Sequence, residues 1–316
     1  MSNVAGLRQP PDFSQTMRNI YPHTKEQIAA SAATGSDLGA SHLSDDYART
    51  VGYKSAPLGG TFIQRDLMHA VVRAWGVRWI EQGGFRIRWR RPMFDGEAVR
   101  VSFGALYEEA GNMLSSFEVT NEEGTITTLG AAWLPTGSLT LPALDDFPDT
   151  PMPDVPLQLS GGEALVGHYI GSQQVLAAHI AELVRTSAFE ADPLSMEGRL
   201  LLSYAPLRDI DPGLSDGSIA LPWQLGDGLA GLDTSGANFL MQTDASFQSF
   251  NRASLADPFE LRGRISGAFE RNGSRYLEIE HLLVAHGSTP VMLRKITMLS
   301  DYAKAHAGGS KSGESV

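Results

Sequence analysis

Residues 34–48 have the sequence TGSDLGASHLSDDYA, and the rest of the chain can be interpreted outward from this stretch. It holds a carboxylic acid, Asp37, and an imidazole, His42, in a run of small residues. A carboxylate and a histidine that converge on one water molecule are a sufficient general acid/base unit. The stretch therefore predicts a proton-transfer site in the front part of the chain. The alternative is an Asp in a turn or helix cap beside an unrelated surface His.

The pattern resembles the signature of the MaoC-like, R-specific enoyl-CoA hydratases, a family with the hot-dog fold. That signature is roughly Gly-Asp-x-Asn-Pro-hydrophobic-His, then five residues, then Ala or Ser. Asp37 and His42 stand at its spacing, and Ala48 falls on its last position. The positions that depart from it are Ser36, Gly39, Ala40 and Ser41. The resemblance implies an α+β fold of two hot-dog modules, each an antiparallel sheet wrapped around a central helix, packed as a double hot dog.

The resemblance also implies a reaction and a set of site residues. Asp37 and His42 would hold and deprotonate a water that adds to a trans-2-enoyl thioester, giving an (R)-3-hydroxyacyl thioester, or would catalyse the reverse dehydration. In the family, a backbone N–H at the start of the central helix binds the thioester oxygen. Gly60 is the expected donor, and Gly59 and Phe62 are expected substrate contacts. A turn before a helix is the structural alternative for the two glycines.

The central helix itself is indicated by periodicity. After Gly59-Gly60-Thr61, apolar residues recur at positions 63, 67, 70, 71 and 74, which is helical spacing. Strand-like segments separated by turn signals follow at 84–91, 98–106, 113–120 and 125–134. One long helix followed by antiparallel strands is an α+β pattern.

The second part of the chain repeats the first in part. The interval from Phe247 to Asp257 equals that from Phe85 to Asp95, and strand candidates follow at 259–270, 275–285 and 290–299. In this copy Ser195 takes the position of the family's His, and a hydroxyl cannot replace an imidazole in proton transfer near neutrality. One working site, in the N-terminal module, is therefore expected. The central helix of the second copy cannot be placed in the Gly- and Pro-rich residues 206–245.

These patterns divide the chain into five parts. Six prolines fall between residues 135 and 160, which is typical of a linker. The expected parts are a poorly structured arm (1–20), an N-terminal hot-dog module with the site (21–134), the Pro-rich linker (135–160), a degenerate C-terminal hot-dog module (161–302) and a flexible tail (303–316).

Three arginines alternate along the first strand after the helix. Alternation sets Arg86, Arg88 and Arg90 on one face and Phe85 and Ile87 on the other. Such a row could bind coenzyme A phosphates. A solvated outer face paired with acids on the next strand is the more frequent explanation.

Composition narrows the function classes. The 316 residues carry a net charge of -11, which argues against nucleic-acid binding. There is no cysteine, so disulfides and thiolate metal sites are excluded and a cytoplasmic location fits. No apolar run approaches the roughly 20 residues of a membrane span, and the first residues do not resemble a secretory signal. No histidine pair has metal-ligand spacing, so neither a metal nor a cofactor is expected.

The expected partner is an acyl-CoA or acyl-carrier-protein thioester, and self-association is expected because lone hot-dog modules expose a sheet edge. Two alternatives remain. A hot-dog thioesterase would need an acid on the central helix, where Asp66 is the only carboxylate. A non-catalytic acyl-binding subunit is the third hypothesis, and the departures from the signature favour it.

Overall fold

The computed structural model describes residues 17–20, 49, 53–55, 57, 60–94, 97–175, 219–225, 228–234 and 241–300. Among the described residues between the first and second strands are the helices α1 (Gly60–Trp75) and α2 (Val77–Gln82). The strands in chain order are β1 (Met17–Ile20), β2 (Gly84–Trp89), β3 (Ala98–Phe103), β4 (Tyr107–Glu109), β5 (Asn112–Asn121), β6 (Ile126–Pro135), β7 (Leu157–Gln158), β8 (Tyr169–Val175), β9 (Leu232–Asp233), β10 (Met241–Ser249), β11 (Phe259–Arg271), β12 (Ser274–Ala285) and β13 (Thr289–Leu299).

The long predicted helix is α1, which begins at Gly60. The predicted apolar positions 63, 67, 71 and 74 are all buried, and position 70 is half-buried. The helix ends at Gly76, whose φ of 66° is a conformation that glycine adopts at little cost. Its N–H donates to the Val72 carbonyl at 2.7 Å, which closes the last turn. None of the described helices has the length and apolar content needed to cross a membrane.

Eleven of the described strands form one antiparallel sheet. Its order is β1-β3-β5-β6-β2-β10-β13-β12-β11-β8, with β4 paired to β5. From either edge inward there is an edge strand (β1 or β8), then three strands in chain order (β3-β5-β6 from one edge, β11-β12-β13 from the other), then the strand that meets the other half (β2 or β10). The predicted fold class, α+β with an antiparallel sheet in two hot-dog halves, is confirmed.

The two halves join through β2 and β10, and we call this strand pair the seam. The pairing is antiparallel and sets Phe85 opposite Phe247. These two residues are the ones that the internal repeat aligns with each other. When equivalent residues of two antiparallel copies lie opposite one another, an approximate two-fold axis passes between the copies. The seam therefore relates the two halves by such an axis.

The inner face of the sheet, which carries Phe85 and Ile87, packs with α1 and α2 in a single core cluster that includes residues of both halves. A line of aromatic side chains crosses the seam within this core, and we call it the aromatic row. Its members are Phe103, Phe117, Phe85, Phe247 and Trp223, with Trp79 of α2 packed against it. The halves are therefore joined by apolar packing as well as by backbone hydrogen bonds.

The residues of the tight turns help to determine which residues of neighbouring strands lie opposite each other. Asn272 and Gly273 have φ of 51° and 74°, the paired positive values of a tight hairpin turn between β11 and β12. Between β4 and β5 the equivalent pair is Ala110 and Gly111. This is one residue earlier than Gly111-Asn112, the pair that residue types favour for the turn. Alanine tolerates positive φ less well than asparagine, so local propensity alone gives the later position.

Four residues of the N-terminal arm depart from the expectation of a poorly structured segment. Residues 17–20 form β1, which pairs with β3 with Met17 opposite Val101. Four residues with one charged and one amide side chain show too little alternation for a strand to be recognised. Ser195, which takes the position of the family's His in the second copy, and the expected tail (303–316) lie outside the described residues.

Candidate functional site

Some of the predicted site residues are within the described structure and others are outside it. Asp37, His42 and Gly59 lie outside the described residues, so their geometry stays a prediction. Gly60 is the first residue of α1. Phe62 lies in the first turn of that helix, and its side chain is outside the described part of the chain.

The start of α1 gives the site its electrostatic character. The first four N–H groups of an α-helix have no partner within the helix, and the helix dipole makes this end positive. Because Gly60 is the first helical residue, its N–H belongs to this group. The buried apolar face of α1 holds the helix against the sheet, so these N–H groups have a fixed position in the fold.

The segment just before α1 adds a cation that the sequence patterns do not single out. Pro57 forms an isolated antiparallel bridge with Phe94. Lys54 forms an ion pair with Glu97, and its amino group lies 4.5 Å from the centroid of the Phe94 ring. Glu97 also accepts a hydrogen bond from the Phe94 N–H at 3.1 Å. These contacts tie the segment before the helix to the segment after β2, although a lone lysine gave no signal in the sequence.

Two of the three arginines lie in β2 where alternation predicts. Arg86 and Arg88 are on the outer face of the sheet, opposite to Phe85 and Ile87, and Arg90 is also exposed but follows the last residue of β2. Arg88 Nε lies 3.2 Å from Asp244 Oδ1 on β10, its cross-strand neighbour. This pair matches the interpretation of a solvated face with acids on the next strand. A phosphate contact by the row stays a prediction.

The outer face carries further cross-strand ion pairs beyond the seam. Lys295 lies 2.8 Å from Glu278 and 3.9 Å from Glu280. Arg264 donates to Glu280 Oε2 from Nε at 3.0 Å and from Nη2 at 2.8 Å. The outer face is therefore a surface of alternating charge, and the apolar core with α1 lies on the other side of the sheet.

A buried histidine on the inner face of the C-terminal half has no counterpart among the predicted site residues. His281 of β12 lies opposite Arg294 of β13 and Gly263 of β11. It is 1% exposed, and no described group meets hydrogen-bond geometry at either ring nitrogen, although the backbone of Gly228 lies close to the ring. Burial first, and then the charge of Arg294, hold the pKa of His281 well below its ordinary value, while the backbone of Gly228 acts in the opposite direction. The ring is therefore neutral at pH 7.

The sequence contains a signal for this burial. Positions 277, 279, 281 and 283 alternate onto one face of β12, and the other three are apolar. The histidine therefore stands on the apolar face of its strand. Within the described residues, no group of three or more His, Asp or Glu side chains is arranged to hold a metal ion.

The lowered pKa of His281 predicts how stability depends on pH. Because the folded-state pKa lies below the unfolded value of about 6.5, this group's contribution is fully present above pH 6.5 and is lost as the pH falls through that range. The loss is at most about 1.4 kcal/mol per pH unit. We expect the denaturant midpoint of the wild type to fall between pH 7.5 and 5 more steeply than that of His281→Leu.

The exposed His286 supplies the control for this experiment. His286→Leu should retain the steep dependence on pH, because the histidine removed is not the buried one. Parallel curves for the wild type and His281→Leu would mean that protonation of His281 does not oppose folding. Urea titrations at a series of pH values, followed by tryptophan fluorescence, give the comparison.

Comparisons with known proteins bear on the fold. No protein family matches the sequence, and no curated protein is significantly similar to it. A protein described as a MaoC domain dehydratase, from Chloroflexus aurantiacus, aligns over 91% of this chain and 95% of its own, with 13% identity and a TM-score of 0.49. A conserved Mycobacterium tuberculosis protein with a double hotdog fold aligns over 92% and 98%, with 13% identity and a TM-score of 0.49.

A third similar structure is a 12:0-ACP thioesterase from Umbellularia californica, which aligns over 90% of this chain and 93% of its own, with 10% identity and a TM-score of 0.41. The similar solved structures thus include a protein described as a dehydratase and one described as a thioesterase. At such low identity the likeness concerns the fold only. The assignment of two hot-dog halves to this chain depends on its own strand order, with the seam at β2 and β10.

Proposed function

We propose that the protein adds water to a trans-2-enoyl thioester, or removes it from an (R)-3-hydroxyacyl thioester. The observation that carries the proposal is that a long helix, buried against the sheet, begins at Gly60. This is the residue that the resemblance assigns to the thioester oxygen. The same resemblance sets Asp37 and His42 at the spacing of a hydratase acid/base pair in the segment before it.

The helix start suits the charge that develops during the reaction. As the oxygen of water bonds to the β-carbon, negative charge moves to the thioester oxygen and forms an enolate. The Gly60 N–H and the positive end of the helix stabilise that oxygen, and one such donor is typically worth about 3 kcal/mol. Asp37 and His42 hold the water, take its proton and return a proton to the α-carbon.

The thioester carrier is coenzyme A or an acyl carrier protein, both of which bear phosphate. The exposed row Arg86, Arg88 and Arg90 is the proposed phosphate contact, with Arg88 shared with Asp244. Lys54 is a second cation, closer in sequence to the helix start, with its side chain 62% exposed.

One assay separates this proposal from its alternatives. Purified protein is mixed with a panel of trans-2-enoyl-CoA esters, and two signals are recorded: loss of the ultraviolet absorbance of the enoyl thioester and release of free thiol. We expect loss of absorbance without thiol release. Thiol release would identify a thioesterase, and binding without either signal would identify a non-catalytic acyl-binding subunit.

A further inference from the structure

We propose that the C-terminal half holds a second binding site, a pocket beside the buried His281 that takes a small uncharged group with a hydrogen-bond donor, such as an alcohol hydroxyl. This site shares no residue with the one proposed for hydration of an enoyl thioester. Two observations carry the inference. A partly open pocket lies between the strands of this half, and a buried imidazole forms part of its wall without a hydrogen-bond partner among the described groups.

The pocket lies between β8, β11 and β12, next to the Pro-rich linker. His281 and Gly263 form part of its wall. Met152 of the linker also lines it and is 41% exposed, so the pocket can be reached from solvent on that side. The space is about 190 Å³, which includes the open mouth. Because a water molecule takes up about 30 Å³ in the liquid, a group of about three non-hydrogen atoms suits this space.

An irregularity in the strand pairing forms this part of the half. Gly171 of β8 lies opposite Gly263 of β11, but the register shifts at this point and leaves Ile170 as an extra residue on β8. A bulge of this kind re-aims side chains and is frequent beside functional sites. Gly171 has a φ of 90°, and a Cβ on Gly263 would clash with Ile170 and lie 3.0 Å from Cδ2 of His281. The missing side chain of Gly263 therefore leaves the ring of His281 at the pocket wall.

The internal repeat shows that the fold does not need a histidine at this position. Phe85 and Phe247 are equivalent, and following the paired residues across two further strands leads to Ser115 in one half and to His281 in the other. Ser115 is also buried, and its hydroxyl donates to the Gly104 carbonyl at 3.0 Å. His281 makes no such bond to a described group. Because a buried polar group without a partner weakens folding, its presence here indicates a role in binding.

The chemistry of the ring selects the ligand. A neutral imidazole has one N–H donor and one nitrogen that accepts a hydrogen bond. Although burial lowers the pKa of His281, the backbone of Gly228 acts to raise it, as an acceptor beside the N–H does. The other ring nitrogen is then the one that accepts from a ligand. None of the described residues that line the pocket is charged at pH 7, and Arg294 is not among them. An uncharged donor therefore suits the site better than an anion.

The test is a titration of the whole protein with ethanol, acetonitrile and formate, which are similar in size. Ethanol donates a hydrogen bond, acetonitrile does not, and formate is an anion. The NMR signals of the methyl groups of Met152 and Ile170 report occupancy of the pocket. We expect ethanol to bind at least about tenfold more tightly than either other probe, since a buried acceptor left unpaired costs at least this much. Ethanol alone should also shift the ¹⁵N resonance of one ring nitrogen of His281.

His281→Leu removes the acceptor and keeps an apolar pocket, so this variant should bind ethanol and acetonitrile equally. His286→Leu is the matched control, because that histidine is exposed, and it should keep the preference for ethanol. If His281→Leu does not fold, Ala230→Leu serves instead. Ala230 lines the pocket, so the larger side chain should fill it and abolish the shift at the ring nitrogen of His281.

Three results would overturn the inference. Equal affinity of the wild type for ethanol and acetonitrile would mean that the pocket is only an apolar cavity. Tighter binding of formate would mean that the charge of Arg294 governs it. No shift with any probe would mean that the pocket binds nothing of this size. Each result leaves the hydratase proposal intact, because hydration is measured separately and is assigned to other residues.

Discussion

His42→Ala is expected to lower kcat/KM for enoyl-thioester hydration by about 10²–10⁴-fold, the usual contribution of general acid/base catalysis. Asp37→Asn should have an effect of the same order, because an amide cannot accept a proton from the attacking water. The double variant should be little worse than either single one, since residues that act as a unit do not contribute additively. The measurement is the initial rate of absorbance loss at low substrate concentration.

Two changes of the same residue types control for this result. Asp45→Asn removes a carboxylate in the same stretch, and His286→Ala removes an exposed histidine of the C-terminal half. Both should retain at least about half of the wild-type rate, because neither residue is assigned to the water. If His42→Ala and Asp37→Asn also keep this rate, the pair has no catalytic role and the hydratase proposal is wrong.

Phe85→Ala is expected to destabilise the whole chain by about 3–5 kcal/mol, the range for truncating a buried phenylalanine. Phe85 is 0% exposed and contacts the rings of Phe117, Phe247 and Trp79. A double-mutant cycle with Phe247→Ala should give a coupling of about 0.5–3 kcal/mol, because the two rings stack on each other. Chemical denaturation followed by tryptophan fluorescence measures both quantities.

The pair Phe269 and Tyr276 supplies a contrast. These rings stack with centroids 4.9 Å apart, but Phe269 is 39% exposed. Phe269→Ala should cost about 1 kcal/mol, mainly the value of one aromatic pair. Because one core cluster includes both halves, a single unfolding transition is expected in every case. Two separate transitions would mean that the seam does not couple the halves.

The strands of each half could be predicted where one face is apolar and the other polar. β5, β6 and β11–β13 lie within one or two residues of the predicted segments, since alternation and turn residues agree there. β10 could not be recognised, because Phe247 is the only large aromatic in a polar run. It is a strand because β2 and β13 supply hydrogen bonds on both of its edges, a tertiary effect.

The residues of the candidate site were predicted from residue types, spacing and a family resemblance, and not from alternation along strands. Residue types and spacing suggest Asp37 and His42 only through a resemblance, since any two such residues can stand five positions apart by chance. The role of Gly60 also comes from the resemblance and stays a prediction. The helix after it could be predicted from periodicity, and α1 begins at Gly60, before the first apolar position of that pattern. Alternation along β12 indicates that His281 is buried, but its neighbours Gly263 and Arg294 come from β11 and β13, and no spacing along the chain records that these strands flank it.

The antiparallel pairing of β2 with β10 has a consequence for how this molecule can change over evolutionary time. In a symmetric homodimer the two contributing surfaces are encoded once, so every substitution appears twice. Here both surfaces belong to a single polypeptide, which means that either copy can vary while its mate is held constant. The tether also makes their association unimolecular, so dilution does not separate them. A pseudo-dimer of this kind can dedicate one copy to chemistry and leave the other as support.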